Sequence, residues 1–336
     1  MDKVRIIDST LRDGSHAVSH QYTLEDIGEI AEGLESAGVP VMEVSHGDGL
    51  GGSSFQYGFS KFTEEEMLEA ASKKLHNTKL AVLLLPGIGT IEDLEMAVRH
   101  NVKVVQVATH VTEADIGIQH IQAAKKMNME AIGFLMMSHM VTPEKILEQA
   151  KIFKDAGADM VYVTDSAGAM TPDDVAARIS LLHDKLDLPV GFHGHNNMGL
   201  AIGNTIAAIK NGAVSIDCTC RGIGAAAGNC MTEVLVAVLN KMNIETGIDL
   251  YKIMDAADDI VAPKLKRPLD INKNALMIGY AGVYGSFMLH AVRASQKFGV
   301  DARDILYELG QRKTVGGQED QIINVAYELS ERKSKY

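Results

Sequence analysis

The residues best suited to chemistry are His193 and His195, in the run Phe192-His193-Gly194-His195-Asn196-Asn197. In an extended strand alternate side chains share a face, so the two imidazoles project together while Gly194 turns away. Two neutral imidazoles facing one point are two ligands for a divalent metal. A pair of histidines bonded to loop backbone would leave the same short motif, and the chain holds 12 histidines. The apolar run Leu188-Pro189-Val190-Gly191-Phe192 reads as a buried strand, which puts the pair at its C-terminal end. A carboxylate at another strand end would turn the pair into a site. Thr10-Leu11-Arg12-Asp13-Gly14-Ser15-His16 provides one in Asp13. Two histidines and one carboxylate leave positions open for water and substrate, and suit Mn²⁺, Mg²⁺, Co²⁺, Fe²⁺ or Zn²⁺. For Arg12-Asp13 alone, a structural ion pair is the plain alternative.

These residues need a scaffold that brings strand ends together. From residue 4 to about 240, short β-branched strands alternate with amphipathic helices, as a parallel sheet covered on both faces requires. Strands are expected at Val4–Asp8, Val41–Ser45, Leu80–Leu85, Val102–Ala108, Ala131–Met136, Met160–Thr164, Val190–His193 and Ser215–Cys218. Several helices end on glycine before the next strand, at Gly38, Gly157 and Gly212. Eight such units match the size and rhythm of a (β/α)8 TIM barrel. A doubly wound open sheet would carry a G-x-G-x-x-G turn after its first strand, and this chain does not. Beyond residue 245 the rhythm becomes helix upon helix, with segments at Asp249–Val261, Val283–Lys297, Ala302–Leu309 and Glu319–Ser330. We therefore expect a barrel over residues 1–245 and a C-terminal helical extension over 246–336, with Pro263 and Pro268 in a basic stretch between helices.

In such a barrel, functional groups come from the C-terminal strand ends and the loops that follow. That criterion selects Arg12, Asp13 and His16, then Glu43, Ser45, His46 and Asp48, then His110, His139, Asp165, Ser166, His193 and His195. No lysine stands at a convincing strand end, which disfavours Schiff-base chemistry.

Composition narrows the remaining classes. With 336 residues, 46% apolar and a net charge of −12, the chain reads as globular, with no basic stripe for nucleic acid. No run of about 18 uncharged apolar residues suggests a membrane span. Met1-Asp2-Lys3-Val4 leads straight into a strand without a signal-like apolar region, and three clustered cysteines fit reduced thiols in the cytoplasm.

The motifs around Arg12-Asp13 and His193-Gly194-His195-Asn196 resemble the two signatures of TIM-barrel metallolyases related to hydroxymethylglutaryl-CoA lyase and isopropylmalate synthase. HGDGLGGSSFQYGF (46–59), LLLPGIG (83–89), VATHVTEAD (107–115), GFLMMSHM (133–140), GYAGVYGSF (279–287) and VGGQED (315–320) are similar to the 4-hydroxy-2-oxovalerate aldolase branch. The resemblance implies a metal, Mn²⁺ foremost with Mg²⁺, Co²⁺ or Zn²⁺ as alternatives, on Asp13, His193 and His195. It implies that Arg12 holds the pyruvyl carboxylate and enolate, that His16 is the general base, and that Tyr284 brings a hydroxyl to the reacting atoms. Ser166, Phe134 and His193 would meet the substrate, and Leu83 and Leu85 would line an aldehyde pocket. It also implies an acylating acetaldehyde dehydrogenase docked on the C-terminal helices; an oligomeric assembly is expected as well. Two departures stand out. The branch usually has a third histidine where Asn196 stands, and a more glycine-rich segment where Arg221-Gly222-Ile223-Gly224-Ala225-Ala226-Ala227 stands. The competing enzyme reading is an acyl-CoA lyase or Claisen-type synthase, which would want a CoA surface and a cysteine-bearing glycine loop. A catalytically dead assembly subunit would not need Arg12, Asp13, His16, His193 and His195 together.

Overall fold

A computed structural model of the protein describes residues 3–266 and 269–333. Its sheet strands are β1 (Arg5–Leu11), β2 (Val41–Val44), β3 (Lys79–Leu84), β4 (Val102–His110), β5 (Glu130–Met136), β6 (Met160–Asp165), β7 (Val190–Gly194) and β8 (Ser215–Cys218). Each pairs in parallel with the next, and β8 returns to β1 through Arg5↔Ser215 to Asp8↔Cys218, which closes the barrel. All eight expected units are present. β1 and β4 run further than their apolar patterns suggest, because buried polar residues such as Ser9, Thr10 and Thr109 continue the extended chain toward the mouth.

The outer helices are α1 (Leu24–Ala37), α2 (Glu64–Ser72), α3 (Ile91–Arg99), α4 (Ile118–Lys126), α5 (Pro143–Ala156), α6 (Pro172–Lys185), α7 (Ala201–Lys210) and α8 (Thr232–Lys241). Four begin with one local device, a capping box in which threonine and an acidic residue three positions later satisfy each other's free amides. These are Thr23 with Asp26, Thr63 with Glu66, Thr90 with Asp93 and Thr171 with Asp174. Each cap fixes where a mouth loop ends and its helix starts, at roughly 0.5–2 kcal/mol apiece. At the other ends, α1 and α5 stop at Gly38 and Gly157 in the left-handed conformation, as the sequence predicts.

The barrel interior is filled by Ile7, Val41, Ala81, Val104, Ile132, Met160 and Tyr162, with Leu83, Ala108 and Phe134 in the same cluster. Tyr162 is completely buried and donates or accepts at Ser215 Oγ, 2.6 Å away. Its ring occupies the space beside Gly191, where a Cβ would overlap it.

The C-terminal part differs from its sequence pattern in detail. The expected helix over 249–261 is α9 (Leu250–Asp255) continued by a π-helical turn, Ala256–Val261. Pro263 sits in a single 3-10 turn, Ala262–Lys264; Arg267 and Pro268 lie outside the described residues. An unexpected helix, α10 (Lys273–Ala281), is capped by Asn272, and α11 runs Phe287–Phe298 rather than from Val283. Glycine at 282 and 285 explains the shift: Gly282 ends α10 with φ of 66°, and the chain turns through Tyr284 before resuming. With α12 (Ala302–Gln311) and α13 (Asp320–Lys333), these helices enclose a core of their own, built on Ile278, Phe287, Ala291, Ile305, Leu309, Ile322 and Val325. Among the described residues no helix is long and apolar enough to cross a membrane.

A test of the barrel packing is Gly191→Ala. The added methyl has no room beside the Tyr162 ring, so urea unfolding should show a loss of about 1–3 kcal/mol. Gly203→Ala, in helix α7 with open space around the new methyl, should be neutral or slightly stabilising.

Candidate metal centre and active site

Strand β1 shifts register between Asp8 and Leu11, and the chain then tightens into a 3-10 turn, Asp13–Val18. That turn swings the Asp13 carboxylate over the barrel axis toward the end of β7. His193 Nε2 and His195 Nε2 lie 3.3 Å apart, and Asp13 Oδ2 lies 3.6 Å from each. All three residues are at least nine-tenths buried. Ligands held about 2.1 Å from one ion stand roughly 3–3.5 Å apart, so the triangle fits a divalent metal. Asn229 Nδ2 and Asp13 Oδ1 both lie against Gly224, and among the described residues the buried Asn229 Oδ1 has no partner. Asp13 Oδ1 accepts from Ala225 N at 3.1 Å. Burial works against the Asp13 charge, but Arg12 and the two histidines hold it well below the usual carboxylate range. His195 is pushed down to about 4, by burial foremost, so it is a neutral imidazole at physiological pH.

Arg12 is fixed from two sides. Its Nε donates to Glu43 Oε2 at 2.6 Å and its Nη1 to Asp13 Oδ2 at 2.7 Å. Burial opposes its charge, yet Glu43 and Asp13 raise it above the ordinary guanidinium range. Its Nη2 is buried and unpaired. A desolvated cation with a spare donor beside that triangle is equipped to receive an oxyanion.

His16 stands on the Asp13–Val18 turn, edge-on to His20 at 4.8 Å and to His46 at 6.5 Å. His20 stacks on His46 at 3.8 Å and shares a 2.9 Å hydrogen bond with Ser15 Oγ. Burial first, then the charges of His16 and His46, push His20 down to about 3. His46 has both nitrogens engaged: Nδ1 accepts from Asp48 N at 3.0 Å, which leaves Nε2 to donate to Gly58 O at 3.1 Å. It orders the 46–58 loop and is not free to act as a base. His16, His20 and Asp48 also bring donor atoms within 4.8 Å of one another, though His20 already spends Nδ1 on Ser15. Gly47 abuts the His16 ring so closely that a Cβ would lie 2.5 Å from Nε2.

Phe134 meets His193 edge-on at 5.4 Å and stacks on Tyr162 at 5.7 Å. Leu83 and Leu85 belong to the same inner cluster. Ser166 follows β6 and accepts Met137 N at 3.0 Å, which leaves its hydroxyl hydrogen available. Asp165 accepts from Ala169 and Met170 amides, and burial raises it to about 6. Tyr284 lies in the α10–α11 turn rather than on a helix, its ring 5.9 Å from Phe287 and near Gly316. His110 and His139 each bond through one nitrogen, to Thr112 Oγ1 and Gly282 O, and each keeps the other nitrogen buried and unpaired.

Residues 3–260 match the HMGL-like family and residues 269–331 the DmpG-like communication domain. A 4-hydroxy-2-oxovalerate aldolase of Carboxydothermus hydrogenoformans is 66% identical over 98% of both chains. Another, from Moorella thermoacetica, is 58% identical over 98% of both. The chain belongs to the 4-hydroxy-2-oxovalerate aldolase family. It is an enzyme, a carbon–carbon lyase. The carboxyl transferase domain of Rhizobium etli pyruvate carboxylase shares the fold at a TM-score of 0.83 and 16% identity, over 99% of this chain and 61% of that one.

Asn196 follows His195 at the end of β7. Its Oδ1 accepts from Ala201 N at 3.2 Å and its own amide donates to Gly228 O at 2.7 Å, so it braces the start of α7. The reading by strand ends passed over Asp217, Gln106 and Asn229. Asp217 accepts from Gln106 Nε2 at 3.0 Å and faces His193 Nδ1 at 3.1 Å. The available signal was an acidic residue alternating with apolar ones in the short strand Ser215-Ile216-Asp217-Cys218.

Because Asp13 and Glu43 are both buried against one guanidinium, Arg12→Ala should strand two carboxylates. Thermal unfolding with chelator present should show a loss of about 3–5 kcal/mol relative to wild type.

Proposed function

We propose that the enzyme cleaves 4-hydroxy-2-oxopentanoate and related 4-hydroxy-2-oxo acids to pyruvate and a short aldehyde such as acetaldehyde. One observation carries this reading: the unpaired, buried Nη2 of Arg12 stands one residue from a carboxylate that shares a triangle with two histidines. Asp13, His193 and His195 would hold a divalent cation, Mn²⁺ before Mg²⁺, Co²⁺ or Zn²⁺. Bound there, such an ion supplies Lewis acidity toward the 2-oxo group as negative charge develops on it.

The chain's own residues account for the rest. His16 takes the proton from the C4 hydroxyl; its imidazole suits a group that must accept and return a proton. As the C4 oxygen becomes the aldehyde carbonyl, the C3–C4 bond breaks and its electron pair moves into the pyruvyl fragment as an enolate. Arg12 binds the carboxylate and stabilises that enolate with planar donors. A proton delivered to C3 completes pyruvate, so the cleavage is proton-neutral overall. Ser166, Phe134 and His193 meet the pyruvyl end, Leu83 and Leu85 line the aldehyde end, and Tyr284 brings its hydroxyl to the reacting atoms.

We assign residues 1–245 to catalysis and 246–336 to docking of an acylating acetaldehyde dehydrogenase. The match to a communication domain and the separate core of α10–α13 support that division. The acyl-CoA lyase reading wants a reactive thiol in the 221–229 loop. That loop has none, and the flanking Cys220 and Cys230 are completely buried, with burial raising both thiols.

Three variants test the roles. His16→Ala should lower kcat by a factor on the order of 10² to 10⁴ with metal content unchanged, whereas Asp13→Ala should lose the metal by elemental analysis. Near-original cleavage by His16→Ala would assign the base elsewhere. Arg12→Lys should depress kcat more than it changes KM, because the charge reaches the enolate only in the transition state. The same variant should be slow to exchange the methyl protons of pyruvate with solvent; wild-type exchange would remove Arg12 from enolate stabilisation. Pyruvate release from substrates of graded chain length would identify the preferred aldehyde.

A further inference from the structure

Beneath the triangle of Asp13, His193 and His195 lies a second polar layer on which the proposed cleavage does not call. Asp217, on β8, has no exposed side-chain surface. It contacts groups on three other strands: Oδ2 faces His193 Nδ1 at 3.1 Å, Gln106 Nε2 on β4 donates to Oδ1 and Oδ2 at 3.2 and 3.0 Å, and Tyr162 on β6 hydrogen-bonds to it. A neutral imidazole has one N–H and one lone pair, and an ionised carboxylate can only accept. The hydrogen of His193 therefore belongs on Nδ1, facing Asp217. The lone pair then belongs on Nε2, the atom 3.3 Å from His195 Nε2 and 3.6 Å from Asp13 Oδ2. The opposite tautomer would set a lone pair against a buried carboxylate and turn an N–H into the triangle. Among the described residues Gln106 has no other side-chain hydrogen bond and its buried Oε1 has no partner, so Asp217 orients its amide.

We propose that Asp217 is a positioning residue that sets the tautomer and ring plane of His193, offering Nε2 to a divalent cation, and that Gln106 holds Asp217 in that pose. Phe134 meets the same ring edge-on at 5.4 Å, from a second side. A carboxylate bonded to the far nitrogen raises the basicity of the ligating one and removes the need to select a tautomer on binding. The inference rests on the metal-centre reading made above, and it concerns a residue outside the ligand set.

The test uses full-length protein, metal-depleted and titrated with Mn²⁺ while free ion is followed by electron paramagnetic resonance. Asp217→Asn should bind about ten- to a hundred-fold more weakly than wild type, and Gln106→Leu should lose less. Asp8→Asn serves as control: Asp8 is equally buried but bonds Thr10 and Thr232 instead, and its affinity should match wild type. Nitrogen-15 spectra of labelled histidines in metal-free wild type should show His193 protonated on Nδ1. Folded Asp217→Asn with wild-type affinity would overturn the proposal. Should that variant fail to fold, a His193 protonated on Nε2 in wild type would overturn it independently. If wild type binds no divalent ion while His193 keeps its Nδ1 hydrogen, the metal-centre reading fails and the tautomer assignment stands.

Discussion

Everything at the barrel mouth depends on one buried guanidinium. Arg12 is the only cation in direct hydrogen-bond contact with Asp13 and Glu43 among the described residues, and it holds both within 2.7 Å. Two ionised carboxylates that close in a water-poor interior repel each other strongly, and one would take up a proton without a counter-charge. Arg12 keeps Asp13 ionised, and an ionised Asp13 is what allows His193 and His195 to share a point with it. The same two bonds freeze the guanidinium plane and leave Nη2 over, so the group that stabilises the site is pre-oriented for an oxyanion. Glu43, raised by burial and restrained chiefly by Arg12, is the weaker member of the set.

The fold makes this affordable by distributing the groups over separate strands. Arg12 and Asp13 follow β1, Glu43 is on β2, Gln106 on β4, His193 on β7 and Asp217 on β8. A closed barrel holds those backbones at fixed spacing, and the short Asp13–Val18 turn after β1 completes the set. Loops then tune what the strands position. The 221–229 segment lays an amide on Asp13, and the 46–58 loop, pinned by His46, lays Gly47 against His16.

The barrel was legible because eight apolar strands and their helices repeat one pattern, and the histidine pair because period two in a strand is strict. What escaped was carried by interactions across the barrel. An acidic residue in a short buried strand is the one local mark of Asp217, and its partners are 24 and 111 residues away. The α10–α11 turn was misread for a different reason: Ala281, Val283, Phe287 and Met288 keep a helical spacing, but Gly282 and Gly285 break the helix between them. Asn196 stands next to the His193–His195 pair, and its side chain accepts from the first amide of α7.

Histidines illustrate the same limit and its remedy. Residue type alone cannot separate a ligand or a base from a scaffold imidazole, because all share one ring. The number of nitrogens already bonded does separate them. His46 spends both on the loop backbone and His20 spends Nδ1 on Ser15, so their rings are walls for His16. His193 spends Nδ1 on Asp217 and turns Nε2 toward Asp13, the pattern of a ligand braced from behind. His139 spends Nε2 on Gly282 O, tying the end of β5 to the turn that carries Tyr284, and burial keeps it neutral at about 4. That bond is where the barrel and the C-terminal helices share a polar contact close to the mouth.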